Sequence, residues 1–318
     1  MSTTLHEFTS PGGAEPPATE NLTAALWRHE KDHPDHRILA YREGDSFRTI
    51  TYSEMAHRVR RLAAGFIGLG LEPGTRVCLF MPTRPEFTLL DYAIWAAGCA
   101  TVTIYETSSA DQVTWIVTDS GAEVIVVGDG KQAAVFDEAM AGVADPPRLF
   151  VIDAGGLDEL VEIGDGVGDD QVMTRARAVG HDDLATLVYT SGTTGMPKGC
   201  ALTVRNFVAT VQAAVSTLPE VLNMEATTLM FLPLAHSFAR IVEVGSVASG
   251  ARIAYSTGIP QLMEELAMVK PTWLFSVPRV FEKVYNSASQ KAHGEGKGKI
   301  FDFAARVAGD YSRQKGAG

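Results

Sequence analysis

Apolar and polar positions along this chain follow two rhythms. Short apolar runs at 76–81, 100–105 and 123–127 read as strands, whereas 85–97 and 110–119 carry the wider spacing of helices. Strand and helix taken in turn predict parallel sheet joined by crossover helices. Ahead of this series come a helix at 22–29 and a hairpin of 38–41 with 47–51, turning at Glu43-Gly44-Asp45. Ser53 is expected to cap the next helix, which Gly70 stops after Leu69. A helix at 131–141 and a strand at 148–152 follow. The Gly- and Asp-rich stretch 153–170 reads as loop, and a subdomain junction is placed near 153–183. The pattern then resumes with strands at 185–190 and 201–204, a helix at 206–218, a strand at 228–232 and a helix at 235–248. A strand at 252–255, a helix at 260–269, a strand at 273–277 and a helix at 280–289 complete it. The expected fold class is α/β, with stacked, mostly parallel sheets and flanking helices.

Composition narrows the picture. With 318 residues, 46% hydrophobic and 20% charged, the chain can bury a large core and is not of the disordered class. A net charge of −11 argues against a nucleic-acid surface. Cys78, Cys99 and Cys200 lack C-x-x-C spacing, which points to neither a disulfide framework nor a zinc site and fits a reducing compartment. Residues 1–20, rich in Ser, Thr, Pro and Gly, read as a flexible lead-in and not as a secretory signal. The apolar stretch 87–100 is broken by Asp91 and Gly98, so no transmembrane segment is expected. The chain is expected to be cytoplasmic, with peripheral membrane contact the limit of its association.

The densest chemistry lies in Tyr189-Thr190-Ser191-Gly192-Thr193-Thr194-Gly195-Met196-Pro197-Lys198-Gly199. Gly192, Gly195 and Gly199 let the backbone turn tightly and aim its N–H groups at an anion, while the hydroxyls and the Lys198 ammonium add donors and charge. A Walker-type loop does not fit. Counted from Gly192, the second glycine position holds Pro197, the residue after the lysine is Gly199, and 200–204 continues as a strand.

This segment resembles the signature loop of the AMP-forming adenylating enzymes, the superfamily of acyl-CoA synthetases, luciferases and peptide-synthetase adenylation domains. The resemblance implies that Thr190, Ser191, Gly192, Thr193, Thr194, Gly195 and Lys198 grip the β- and γ-phosphates of ATP while a carboxylate attacks the α-phosphorus. Phe231-Leu232-Pro233-Leu234-Ala235-His236-Ser237-Phe238 is similar to the second core motif, with His236 and Phe238 lining the acyl-adenylate pocket. Lys198 and His236 are the implied catalytic residues. Arg84-Pro85-Glu86-Phe87, residues 104–109, 271–284 and 300–304 resemble long-chain fatty acyl-CoA synthetases in the same order. Arg240 and Glu243, three apart on the helix after His236, are read as a surface ion pair, and Lys291, Lys297 and Lys299 as a solvated Gly-rich loop.

ATP and Mg²⁺, with CoA as co-substrate, are the implied cofactors. Thr193 is a candidate hydroxyl for the metal, and the magnesium-binding glutamate of the family is expected downstream. The fold implied is that of the large N-terminal domain of acyl-CoA synthetases, incomplete at its C-terminus. Residues 21–318 would be a partial adenylation domain without the C-terminal lysine-bearing domain. No G-Y-G-x-T-E or T-G-D segment is present to hold adenine and ribose. The function implied for a complete parent is long-chain fatty acid–CoA ligation through acyl-AMP, with this chain inactive alone. An adenylation domain that loads a carrier protein, and a non-catalytic remnant serving as a binding module, are the alternatives.

Overall fold

A computed structural model describes residues 16–17, 19–190 and 196–315. Most of the proposed lead-in, and Ser191, Gly192, Thr193, Thr194 and Gly195 of the glycine-rich loop, lie outside the described residues. The chain divides into two units, one ending at Trp273 and the other running from Leu274.

The first unit begins with helix α1 (Ala24–Asp32), strands β1 (Arg37–Glu43) and β2 (Ser46–Thr51), and helix α2 (Tyr52–Gly68). There follow β3 (Arg76–Phe80), α3 (Pro85–Ala96), β4 (Ala100–Ile104), α4 (Ala110–Ser120), β5 (Val124–Val127), α5 (Gly130–Ala139) and β6 (Arg148–Val151). Helices α6 (Gly156–Ile163) and α7 (Asp169–Ala178) lead to β7 (Leu184–Thr190) and β8 (Lys198–Thr203). The unit closes with α8 (Val204–Thr217), β9 (Thr227–Met230), α9 (Ser237–Ser249), β10 (Arg252–Tyr255) and α10 (Leu262–Val269).

Two sheets organise these elements among the described residues. One runs β6-β5-β3-β4-β7-β8, parallel except for the antiparallel β7–β8 hairpin. The other runs β2-β1-β10-β9, with β1, β10 and β9 parallel. Every residue of β4 and β5 is buried, as expected of parallel strands covered on both faces. Helix α3 is buried on all sides, packing against β4 of one sheet and β1 of the other. An all-round apolar helix needs such a place between layers. The second unit is a helical hairpin of α11 (Pro278–Gly294) and α12 (Gly298–Lys315), in which the Tyr285 and Phe301 rings lie 5.3 Å apart.

The mixed α/β architecture agrees with the sequence, but four local expectations do not hold. Thr51, not Ser53, caps α2: its hydroxyl accepts the Glu54 amide while the Glu54 carboxylate accepts the Thr51 amide, a reciprocal box. The 153–170 stretch contains helix α6 instead of a loop. Gly164 serves close approach to α2, since a Cβ there would lie 2.5 Å from the Gly65 nitrogen, and one on Gly65 would lie 2.2 Å from the Leu160 carbonyl oxygen. Residues 273–277 form no strand, because the ladder with β9 stops at its first rung. There the Thr272 amide donates to the Thr227 carbonyl and the Thr272 hydroxyl accepts the Thr227 amide. Lys291 and Lys299 stand on α11 and α12, not in a loop.

Cys78 and Cys99 are buried and Cys200 is exposed on β8. Burial pushes both buried thiols up to about 12 and leaves them protonated at neutral pH. A chromogenic disulfide reagent is therefore expected to react quickly with a single thiol of the native protein and with all three after denaturation. Rapid reaction of a second thiol in the native protein would contradict this packing.

Candidate active site

The glycine-rich loop joins the two strands of an antiparallel hairpin, with Thr190 opposite Lys198 and Tyr189 opposite Gly199. Helix α4 holds both strands. The Tyr189 hydroxyl donates to Asp119 at 2.7 Å, and the Trp115 indole N–H donates to the Pro197 carbonyl at 2.7 Å. Trp115 and Asp119 are one turn apart, so a single helix face fixes the hairpin on either side of the loop. Burial and the Asp119 bond raise the Tyr189 phenol, which stays neutral as a donor. Gly199 leaves room for the same contact, since a Cβ there would lie 3.1 Å from the Tyr189 ring, which would have to shift by a few tenths of an ångström. Lys198 is exposed and makes no ion pair with another described residue.

His236 sits at the N-cap of α9, and its Nδ1 accepts the Phe238 amide at 3.2 Å. In the neutral ring the proton is then on Nε2, which is left to donate. Two threonines fix the turn before it. The Thr83 hydroxyl donates to the Leu232 carbonyl at 2.9 Å and accepts the Leu234 amide at 3.0 Å, and the Thr103 hydroxyl donates to the Ala235 carbonyl at 3.0 Å. Thr103 lies on β4, paired with Val188 of β7. The turn carrying His236 is thereby held at the carboxyl end of the strands from which the loop emerges, where open α/β sheets place ligands. Phe238 is exposed beside it, at 46%.

Thr190, Lys198, His236 and Phe238 thus lie on elements gathered at one end of the six-stranded sheet. Sequence reading missed the supports Thr83, Thr103, Trp115 and Asp119, since an isolated threonine or tryptophan carries no local signal of a partner more than 80 residues away. It also misplaced Arg240 and Glu243. Both are fully buried, and Arg240 pairs with Asp91 of α3, not with Glu243. The one available hint was the aspartate within the mostly apolar stretch of α3.

Around this pair a Glu243 carboxyl oxygen accepts the Thr88 hydroxyl, which also meets Tyr255. Burial pushes the Asp91 carboxyl up, and the Arg240 guanidinium draws it back down. Glu243 is pushed well up by burial and by the charge of Asp91, which favours its protonated form. A carboxyl raised above its unfolded value contributes most stability below the unfolded value and loses it as pH rises toward the folded one. Thermal stability is accordingly expected to decline as pH rises above the ordinary carboxylate range, with a shallower decline in Glu243→Gln, a neutral isostere; equal slopes would place the proton elsewhere.

Among the described residues no three His, Cys, Asp or Glu side chains converge on a metal position. None of the described helices is long and apolar enough to cross a membrane.

These features define an adenylate-forming enzyme fold, and the chain belongs to the AMP-binding enzyme family, whose model matches residues 26–310. It is 41% identical over 296 residues to the long-chain-fatty-acid–CoA ligase FadD15 of Mycobacterium bovis, covering 92% of this chain and 49% of that protein. To the human long-chain-fatty-acid–CoA ligase 1 it is 29% identical over 276 residues, covering 81% and 39%. The N-terminal domain of FACL13 from Mycobacterium tuberculosis superposes with a TM-score of 0.70 at 26% identity, over 82% of this chain and 64% of that one. The chain spans about half the length of the FadD15 relatives it matches.

Proposed function

We propose that this chain supplies the phosphate-gripping and acyl-side part of an AMP-forming long-chain fatty acid–CoA ligase. The reading rests chiefly on one observation: the hairpin carrying Lys198 and the turn carrying His236 and Phe238 emerge together at the carboxyl end of β4 and β7. The likeness to long-chain ligases supports the substrate class.

In this reading the loop amides and hydroxyls, Ser191 to Gly195 included, and the Lys198 ammonium take up charge on the β- and γ-phosphates. The fatty carboxylate attacks the α-phosphorus and pyrophosphate leaves with the bridging oxygen's electrons. Charge development on the leaving phosphates is where a fixed cation lowers the barrier most. CoA thiolate then displaces AMP from the acyl-adenylate. Mg²⁺ would arrive with the nucleotide, because this cation keeps several waters and is commonly held by substrate phosphates and few carboxylates. His236 and Phe238 wall the acyl-adenylate junction. A cavity of about 370 Å³, with Val208, Val211 and Val215 of α8 and Val244 of α9 on one wall and Glu20 and Arg28 at its polar edge, lies further along the helix that His236 caps. Val244 is about 12 Å from His236 along the helix axis, a distance suited to an extended alkyl chain.

Calorimetry with ATP and a coupled pyrophosphate assay test the reading on the 318-residue chain. The expected result is ATP binding without fatty-acid-dependent turnover, because a positioned carboxylate and a held nucleotide must act together. Absence of ATP binding would overturn the loop assignment, and turnover by the isolated chain would overturn the division of roles.

A further inference from the structure

Arg240 occupies an unusual place for a guanidinium. It is fully buried, one turn beyond His236 on α9, and its guanidinium meets three other elements, α3 and β7 by hydrogen bonds and α8 by a ring contact. Nε and Nη2 donate to the Asp91 carboxylate of α3 at 2.9 and 2.6 Å. Nη1 donates to the Thr186 hydroxyl of β7, which itself donates to the Thr101 carbonyl of β4 at 2.7 Å. The Thr101 hydroxyl closes the circuit by donating to Asp91. The Trp95 ring of α3 and the Phe207 ring of α8 lie 5.4 and 5.5 Å from the guanidinium carbon. Trp95 in turn donates its indole N–H to the Ala185 carbonyl of β7 at 3.0 Å.

The spacing of these contacts relates them to the site. Arg240 stands four residues after His236, Thr186 four before Thr190, and Phe207 four after Thr203, the last residue of β8. One side chain therefore meets the strand that enters the glycine-rich loop, the helix that follows the strand leaving it, and the helix that carries His236. Burying an ion pair is a poor way to gain stability, since well-packed apolar residues often do as well or better. A planar fork of donors does impose direction, because its partners are satisfied at one height and one rotation of α9. An aliphatic contact would tolerate sliding by fractions of a turn.

We propose that Arg240 and Asp91 form a positioning pair that sets the height and rotation of α9 against the β7–β8 hairpin, and so fixes where His236 stands relative to Thr190 and Lys198 at the open end of that hairpin. The proposal rests on the assignment of His236 and the loop to one site, but the geometry it describes exists before any ligand binds.

The native Cys200 on β8 and an introduced Phe238→Cys provide two exposed thiols for spin labels, with Cys78 and Cys99 buried. The interlabel distance distribution and the melting temperature are compared for Arg240 protein, Arg240→Lys, and the paired apolar replacement Asp91→Leu with Arg240→Met. The paired variant is expected to melt close to the parent, yet its distance distribution is expected to shift or to broaden about twofold, as befits a pair kept for specificity. Arg240→Lys retains charge but not the fork, and an intermediate broadening is expected. A parent-like distribution in a stably folded paired variant would overturn the proposal. Should that variant not fold, a parent-like distribution in Arg240→Lys would do so, because charge without the fork would then suffice. No nucleotide enters this measurement, so failure to bind ATP would count against the loop assignment alone.

Discussion

Replacing Lys198 with alanine is expected to slow acyl-adenylate formation by about 100- to 1,000-fold, the range seen when one fixed stabiliser of developing charge is removed. The argument starts from placement. Lys198 is the first residue of β8, its backbone locked opposite Thr190, while its side chain is exposed and unpaired among the described residues. Its removal takes nothing from the core, and the melting temperature should move by no more than a surface substitution usually does. Fatty-acid-dependent exchange of labelled pyrophosphate into ATP, in a ligase carrying this segment, is the measurement. An unchanged exchange rate in the alanine variant would show that the loop has been misread. A parallel loss of exchange and stability would instead make Lys198 a structural residue.

The second large effect concerns stability. Arg240→Ala is expected to cost about 3–5 kcal/mol, because it leaves the Asp91 carboxylate buried without its counter-ion. The same substitution unseats Thr186 and opens space between Trp95 and Phe207. Against an ordinary domain stability of about 5–15 kcal/mol, such a loss is a large fraction of the whole. Denaturant unfolding followed by tryptophan fluorescence gives the value directly. A cost under about 1 kcal/mol, typical of an exposed ion pair, would return Arg240 to the surface role its spacing to Glu243 suggests. Asp91→Ala should behave similarly, and combining the two should cost less than their sum, as for residues in direct contact.

Much of the fold was legible along the chain. The order of strands and helices from residue 76 to 127 is as the apolar rhythm predicts, because parallel strands covered on both faces must be apolar throughout and the intervening helices must show a stripe. Glycine was the weaker guide. At Gly70 it marks the end of a helix with positive φ, whereas at Gly65 and Gly164 it permits two helices to touch. Composition cannot separate these uses, since both select for the missing Cβ. The strand expected at 273–277 shows the complementary failure: β propensity requires a partner, and the ladder with β9 ends after Thr272.

The candidate site divides in the same manner. The loop with Lys198 and the motif with His236 are contiguous segments whose chemistry is written in neighbouring residues, so the sequence alone determined them, together with the family to which the chain belongs. What holds them in register is not contiguous. Asp91 and Arg240 are separated by 149 residues, Thr103 and Ala235 by 132, and Trp115 and Pro197 by 82. Only the tertiary structure decided that the charge at 240 faces inward, because an ion's place depends on whether a buried partner can repay its desolvation, and that partner is supplied by packing and not by spacing.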